Sequence, residues 1–123
     1  MTLLTNQVNN LYMEIVFKEE KFRKECNDYK LLQARRGTAQ AKLIKRRLDD
    51  LRAVENLADM RQLPGRCHEL KGNRAGQLSI DLDGPYRLLF EPIMNPEVEA
   101  TNSNLDWAKV TSIKILGVEN THE

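Results

Sequence analysis

Between Cys67 and Phe90 the sequence sets His68, Lys71, Arg74 and Arg87 in a short stretch, broken by glycines and otherwise alternating apolar with polar residues. These residue types suit work on a phosphodiester. Fixed positive charge can hold a phosphate and offset charge developing on it, and an imidazole can move a proton near neutral pH. A second imidazole, His122, stands one residue from the end of the sequence. Two histidines with no cysteine or carboxylate at ligand spacing make a poor metal site, so no metal and no cofactor are expected.

The elements that must position these groups are strands. After Pro64 the apolar period is two: Leu78, Ile80 and Leu82 alternate with polar neighbours, and so do Tyr86, Leu88 and Phe90. A three-residue loop, Asp83-Gly84-Pro85, pairs Leu82 with Tyr86, Ile80 with Leu88 and Leu78 with Phe90. All six then share one face, and Asp81 and Arg87 oppose each other on the other. A two-residue loop would set Ile80 against Arg87 and is rejected. Residues 91–109 read as a long loop. Val110 to Val118 offers a last strand, apolar on both sides in part and therefore central. That strand could carry His122 to the face of Arg87.

Upstream the period is helical. Phe22, Cys26 and Tyr29 mark one helix from Lys18 to Leu32, interrupted at Arg35-Arg36-Gly37. Thr38 can cap a second, with a stripe of Ala41, Ile44, Leu48, Leu51 and Ala58. A short connection makes the pair an antiparallel hairpin. Met13 precedes the strand-like run Ile15-Val16-Phe17. Residues 1–12 therefore read as a loosely held extension and 13–123 as one domain. The element order is β-α-α-β-β-β-β, an α+β fold with a small, curved, mainly antiparallel sheet against a two-helix hairpin.

The sequence has 123 residues, 41% of them apolar, and a net charge of +1. That charge is unevenly spread: −1 over residues 1–17, +5 over 18–62, +1 over 63–87 and −4 over 88–123. A polarised surface of this kind can serve nucleic acid, because phosphate contacts depend on local potential. Ordinary solvated helix faces would give the same pattern. The run Lys42, Lys45, Arg46 and Arg47 has both readings, with Lys45 and Arg46 as candidate contacts to nucleic-acid phosphates. No apolar run is long enough to cross a bilayer and no signal peptide opens the sequence. Cys26 and Cys67 form no CxxC, and read as reduced thiols in a cytoplasmic protein. No phosphate-binding glycine loop, GxSxG or HExxH is present.

Each candidate also has a plain structural reading. Strict alternation puts His68 beside Leu70 on the core face, where it would be a buried, hydrogen-bonded histidine, with Lys71 opposite. Lys71 and Arg74 also read as simple surface charges. Arg87 has Asp81 as a cross-strand partner, Trp107 reads as a loop or core anchor, and a terminal His122 is commonly just solvated.

From about Met13 to His122 the chain resembles the HigB-like branch of the RelE/ParE toxin superfamily. The resemblance lies in His68-Glu69-Leu70-Lys71-Gly72 with Gly76 and Ser79, in Pro85-Tyr86-Arg87, and in the closing Val118-Glu119-Asn120-Thr121-His122. It implies a curved sheet backed by N-terminal helices and metal-free cleavage of messenger RNA in the ribosomal decoding site. It also implies a HigA-like helix-turn-helix antitoxin as partner, and contact with operator DNA only through that antitoxin. By position, His68, Lys71 and His122 match the family's functional residues, and Arg74 and Arg87 its recurrent basic ones. Where the family commonly ends Asp-Tyr-His, this sequence has Asn120-Thr121-His122. Two other functions fit the same fold: gyrase poisoning of the ParE type, and non-catalytic modulation of an antitoxin's repression.

Overall fold

The computed structural model describes residues 12–94 and 104–120. The expected extension at residues 1–12 falls almost wholly outside this range, as does His122. Met13 is buried, and its N–H donates to the Val54 carbonyl at 2.9 Å.

Strand β1 (Glu14–Phe17) leads into three helices: α1 (Glu20–Cys26), α2 (Tyr29–Arg36) and α3 (Thr38–Ala53). The single helix expected over Lys18 to Leu32 is thus two. The chain breaks at Asn27, and the Asp28 carboxylate accepts from Leu31 N–H at 3.2 Å to cap α2. Glu25 on α1 is buried and pairs with Arg36 (2.9 Å) and Arg35 (3.4 Å) on α2, which ties the pieces together. Thr38 is not a cap but the first helical residue. Gly37, at φ +84, makes the turn between α2 and α3, a left-handed conformation suited to glycine. The expected stripe Ala41, Ile44, Leu48 and Leu51 is buried, but α3 stops at Ala53, so Ala58 falls in a 3₁₀ turn, Leu57–Gln62.

Four more strands follow: β2 (His68–Glu69), β3 (Leu78–Asp81), β4 (Tyr86–Pro92) and β5 (Ser112–Asn120). They join β1 in one sheet ordered β1-β5-β4-β3-β2, parallel only between β1 and β5. The last strand is central, as its apolar content implied. The β3–β4 register is the expected one, with Leu78 opposite Phe90, Ile80 opposite Leu88 and Asp81 opposite Arg87. These apolar residues join Ile113, Ile115 and the α3 stripe in a single core. Tyr86 keeps the phase of Leu88 and Phe90 but, at the strand's start, is 39% exposed. Glu91 and Pro92 belong to β4 rather than to a loop, and residues 95–103 lie outside the described range.

Beyond Leu89 the pairing of β4 with β5 slips. Leu89 faces Gly117 while Phe90 faces Ile115, leaving Leu116 as an extra residue. This bulge changes the phase of β5. Before it Ile113 and Ile115 point into the core; after it Val118 does, and Glu119 turns to the opposite face, across from Arg87.

Candidate functional site

The helices cover one side of the sheet, and the register pairs define what stands on the other. One row across this outer face reads His68, Ser79, Leu89 and Gly117; the next but one reads Asp81, Arg87 and Glu119. His68 therefore does not lie on the core face. Its neighbours take the core side instead: Cys67 packs against the core, and Glu69 accepts a hydrogen bond from the Trp107 indole N–H at 2.7 Å. Arg61 in turn stacks over the Trp107 ring at 4.0 Å. Strand β2 is two residues long, so this side-chain clasp, together with its pairing to β3, sets which way His68 points.

The His68 ring is fixed by its Nδ1, 2.8 Å from the Arg66 carbonyl oxygen. A carbonyl only accepts, so Nδ1 carries the proton and Nε2 keeps a lone pair whenever the ring is neutral. That is the form needed to take a proton from a hydroxyl. Arg66 itself sits at φ +52, an uncommon conformation for a non-glycine residue. Its strain accompanies the aiming of its carbonyl at the ring.

Three arginines reach the same face. Arg87 Nε lies 2.9 Å from Asp81 Oδ1, an ionic contact in which no N–H is aligned on that oxygen. Arg87 Nη1 donates to the carbonyls of Tyr86 (3.1 Å) and Gly84 (3.4 Å). A guanidinium has five N–H groups, so donors remain for a phosphate. Arg66 Nε is 3.4 Å from Asp81 Oδ2. Arg74, from the 3₁₀ turn Gly72–Arg74, reaches Glu119 on β5 at 2.7 Å. Lys71 precedes that turn, is exposed, and forms no ion pair among the described residues.

The structure thus brings together His68, Arg74 and Arg87, with Lys71 at the margin. Lys45 and Arg46 belong to α3 in the helical layer. There they line an open groove of about 390 Å³ with Lys42, Asp49, Asp50 and Pro64, and Lys45 is bonded to Asp49 at 2.9 Å. This groove mixes both signs of charge and is built by other elements than the His68 face. Among the described residues no three His, Cys, Asp or Glu side chains converge as a metal site, and no helix is long and apolar enough to cross a membrane. Burial pushes both thiols, Cys26 and Cys67, up to about 12, so neither is a thiolate nucleophile at neutral pH.

Sequence reasoning missed Arg66, Ser79 and Glu119 as residues of this face. For Glu119 a signal exists. The spacing of Ile113, Ile115 and Val118 changes from two to three, which is the mark of a bulge.

No protein-family model and no curated protein sequence matches this chain. Solved structures do. A YoeB/ParE toxin from Agrobacterium tumefaciens is 12% identical with a TM-score of 0.50, the match covering 89% of this chain and 100% of that one. The YoeB dimer from Staphylococcus aureus is 20% identical with a TM-score of 0.51, covering 89% and 98%. At such identities the likeness is one of fold. The α+β architecture of helices on a five-stranded mixed sheet is that of the YoeB/ParE toxins.

Proposed function

We propose that this chain is the toxin of a toxin–antitoxin pair and cuts messenger RNA on the ribosome without a metal ion. The observation that carries this reading is the outer face, where the rows set His68, whose Nε2 has no partner among the described residues, on the side of Arg87, and where Arg66 and Arg74 reach the carboxylates of Asp81 and Glu119. In the proposed step the ribose 2′-oxygen attacks the adjacent phosphorus. The bond to the 5′-oxygen of the next nucleotide breaks, and a 2′,3′-cyclic phosphate is left. His68 Nε2 takes the 2′-hydroxyl proton, and His122 gives one to the departing 5′-oxygen. Arg87, Arg74 and Lys71 hold the phosphate and offset its charge in the transition state.

The HigB-like assignment rests on the sequence words around His68 and Arg87. With it come a HigA-like helix-turn-helix antitoxin, contact with operator DNA through that antitoxin, and a cytoplasmic site of action. Lys45 and Arg46 are assigned to ribosomal RNA, as part of an electrostatic contact on the helical layer. Purified ribosomes programmed with messenger RNA test the reading. Cut transcripts are expected in the presence of a chelator; intact transcripts together with inhibited DNA supercoiling would assign the fold to gyrase poisoning instead.

A further inference from the structure

Gln77, Ser79 and Asp81 share one phase of the chain entering and forming β3, and the register turns that phase to the outer face. Ser79 is 1% exposed, yet its hydroxyl has no hydrogen-bond partner among the described residues, and Gln77 Oε1 is likewise buried and unpartnered among them. Buried polar atoms are normally satisfied, so two side by side need a reason. Across from Ser79, Leu89 is also 1% exposed although it faces away from the helices. Next to it is Gly117, where an added β-carbon would meet no atom of the described residues within 4 Å. The result is a small floor, part apolar and part polar, with room above its β5 side.

The path of Arg74 crosses this floor. The β2–β3 connection leaves the sheet beside Leu78, whereas Glu119 lies three rows along and two strands over. By strand and sheet spacings that diagonal is roughly 14 Å, more than an arginine side chain spans. The Arg74–Glu119 pair therefore bridges the outer face across the row of Ser79 and Leu89. Among the described residues the turn's other hydrogen bonds are internal: Arg74 N–H to the Lys71 carbonyl, Ala75 to Gly72 and Gln77 to Arg74. Gly72 (φ +67) and Gly76 (φ +93) bracket it in conformations that favour glycine. Its tie to β5 is one ion pair whose side chains are 37% and 49% exposed. Such a pair is weak, and a phosphate can take the guanidinium from it.

We infer that the floor of Gln77, Ser79, Leu89 and Gly117 is a nucleobase subsite for single-stranded RNA, closed in the free protein by the strap that Arg74 latches to Glu119. Leu89 supplies apolar surface beneath a base. The Ser79 hydroxyl and Gln77 amide meet donors and acceptors on its edge, the mode by which splayed bases are read. Arg74, freed from Glu119, moves to the neighbouring phosphate. The inference rests on the RNA-cleaving reading of this face, but binding can be measured apart from cleavage.

The test is an NMR titration of the full chain with four short single-stranded RNAs that differ in one base and carry 2′-O-methyl groups to block cutting. Shifts are expected at the Leu89 methyls and the Gly117 amide, with about tenfold between best and worst base. In a Ser79→Ala, Gln77→Ala variant the ranking should flatten to within about twofold with the melting temperature unchanged or raised, because neither Ser79 Oγ nor Gln77 Oε1 has a hydrogen-bond partner among the described residues. Glu119→Gln, which unlatches the strap, should tighten all four RNAs alike. No binding, shifts that avoid Leu89 and Gly117, or a ranking that survives the double variant would each overturn the subsite. Messenger RNA cut on ribosomes with a silent floor would remove the subsite and leave the proposed function; a base-selective floor with uncut messenger RNA would do the reverse.

Discussion

Arg87 on β4 and Asp81 on β3 stand directly across from each other, with Nε 2.9 Å from Oδ1. The guanidinium proposed to hold a phosphate is therefore already beside a carboxylate in the free protein. Arg74 is in the same situation with Glu119. The face is thus poised rather than strongly cationic: a phosphate bound there would share each of these guanidinium groups with a carboxylate, and this lowers non-specific affinity.

Removing the Asp81 charge should make that visible. Asp81→Asn keeps its backbone contacts, the N–H to the Gly65 carbonyl and the carbonyl from Arg47 Nε. The ion pair is part-exposed, so stability should fall by no more than about 1 kcal/mol. Affinity for single-stranded RNA should rise several-fold, and the salt dependence should steepen by about 0.7 in log–log slope for each phosphate newly engaged. Fluorescence anisotropy at a series of salt concentrations measures both; an unchanged slope would show that Asp81 does not compete with phosphate.

Gly65 marks a close approach beneath the site. A β-carbon there would lie 2.5 Å from Ile80 Cγ2 and 2.9 Å from Arg47 Nε, and φ is +112. Gly65→Ala should destabilise by about 2 kcal/mol or more in urea unfolding, from crowding and backbone strain together. Gly37→Ala meets no atom of the described residues within 4 Å; its backbone, at φ +84 and ψ 159, is in a region kept by glycine, so strain alone should cost about 1–3 kcal/mol and the loss should stay below that at Gly65. Equal losses at the two positions would refute the crowding at Gly65.

The thiols give a pH signature. Both have folded values near 12 against an ordinary 9.0. A raised value means the unfolded chain loses its proton first as pH rises. The stabilising contribution is therefore complete below about pH 9 and disappears as pH climbs toward 12. Alkylation of Cys26 and Cys67 at pH 8 should be slow in the native protein and fast in denaturant. Rapid native labelling would contradict their burial.

The parts of this fold that are legible from sequence are those with a run long enough to set a phase. The hairpin register is readable because two alternating strands flank Asp83-Gly84-Pro85, and only one loop length puts their apolar residues on one face. The Ala41–Leu51 stripe is readable for the same reason. His68 is not, because a two-residue strand has no run of its own. Its direction depends on Trp107 bonding Glu69 from a position far along the chain. The break between α1 and α2 escapes as well, since Asn27 and Asp28 interrupt a helical period without proline or glycine. Glu119 escapes because a bulge resets β5 behind it. Of the site residues, Arg87 is placed correctly by its register with Asp81, while His68 reaches the outer face through tertiary contacts that a local pattern does not contain.

Whether the His68 face cuts RNA is decided by the ends of messenger RNA recovered from programmed ribosomes in the presence of a chelator. The wild-type chain should leave 2′,3′-cyclic phosphate ends. His68→Ala and Arg87→Ala should each lose about 10²- to 10⁴-fold in rate while keeping native circular dichroism. Undiminished cleavage by His68→Ala, or products lacking the cyclic phosphate, would contradict the proposed chemistry.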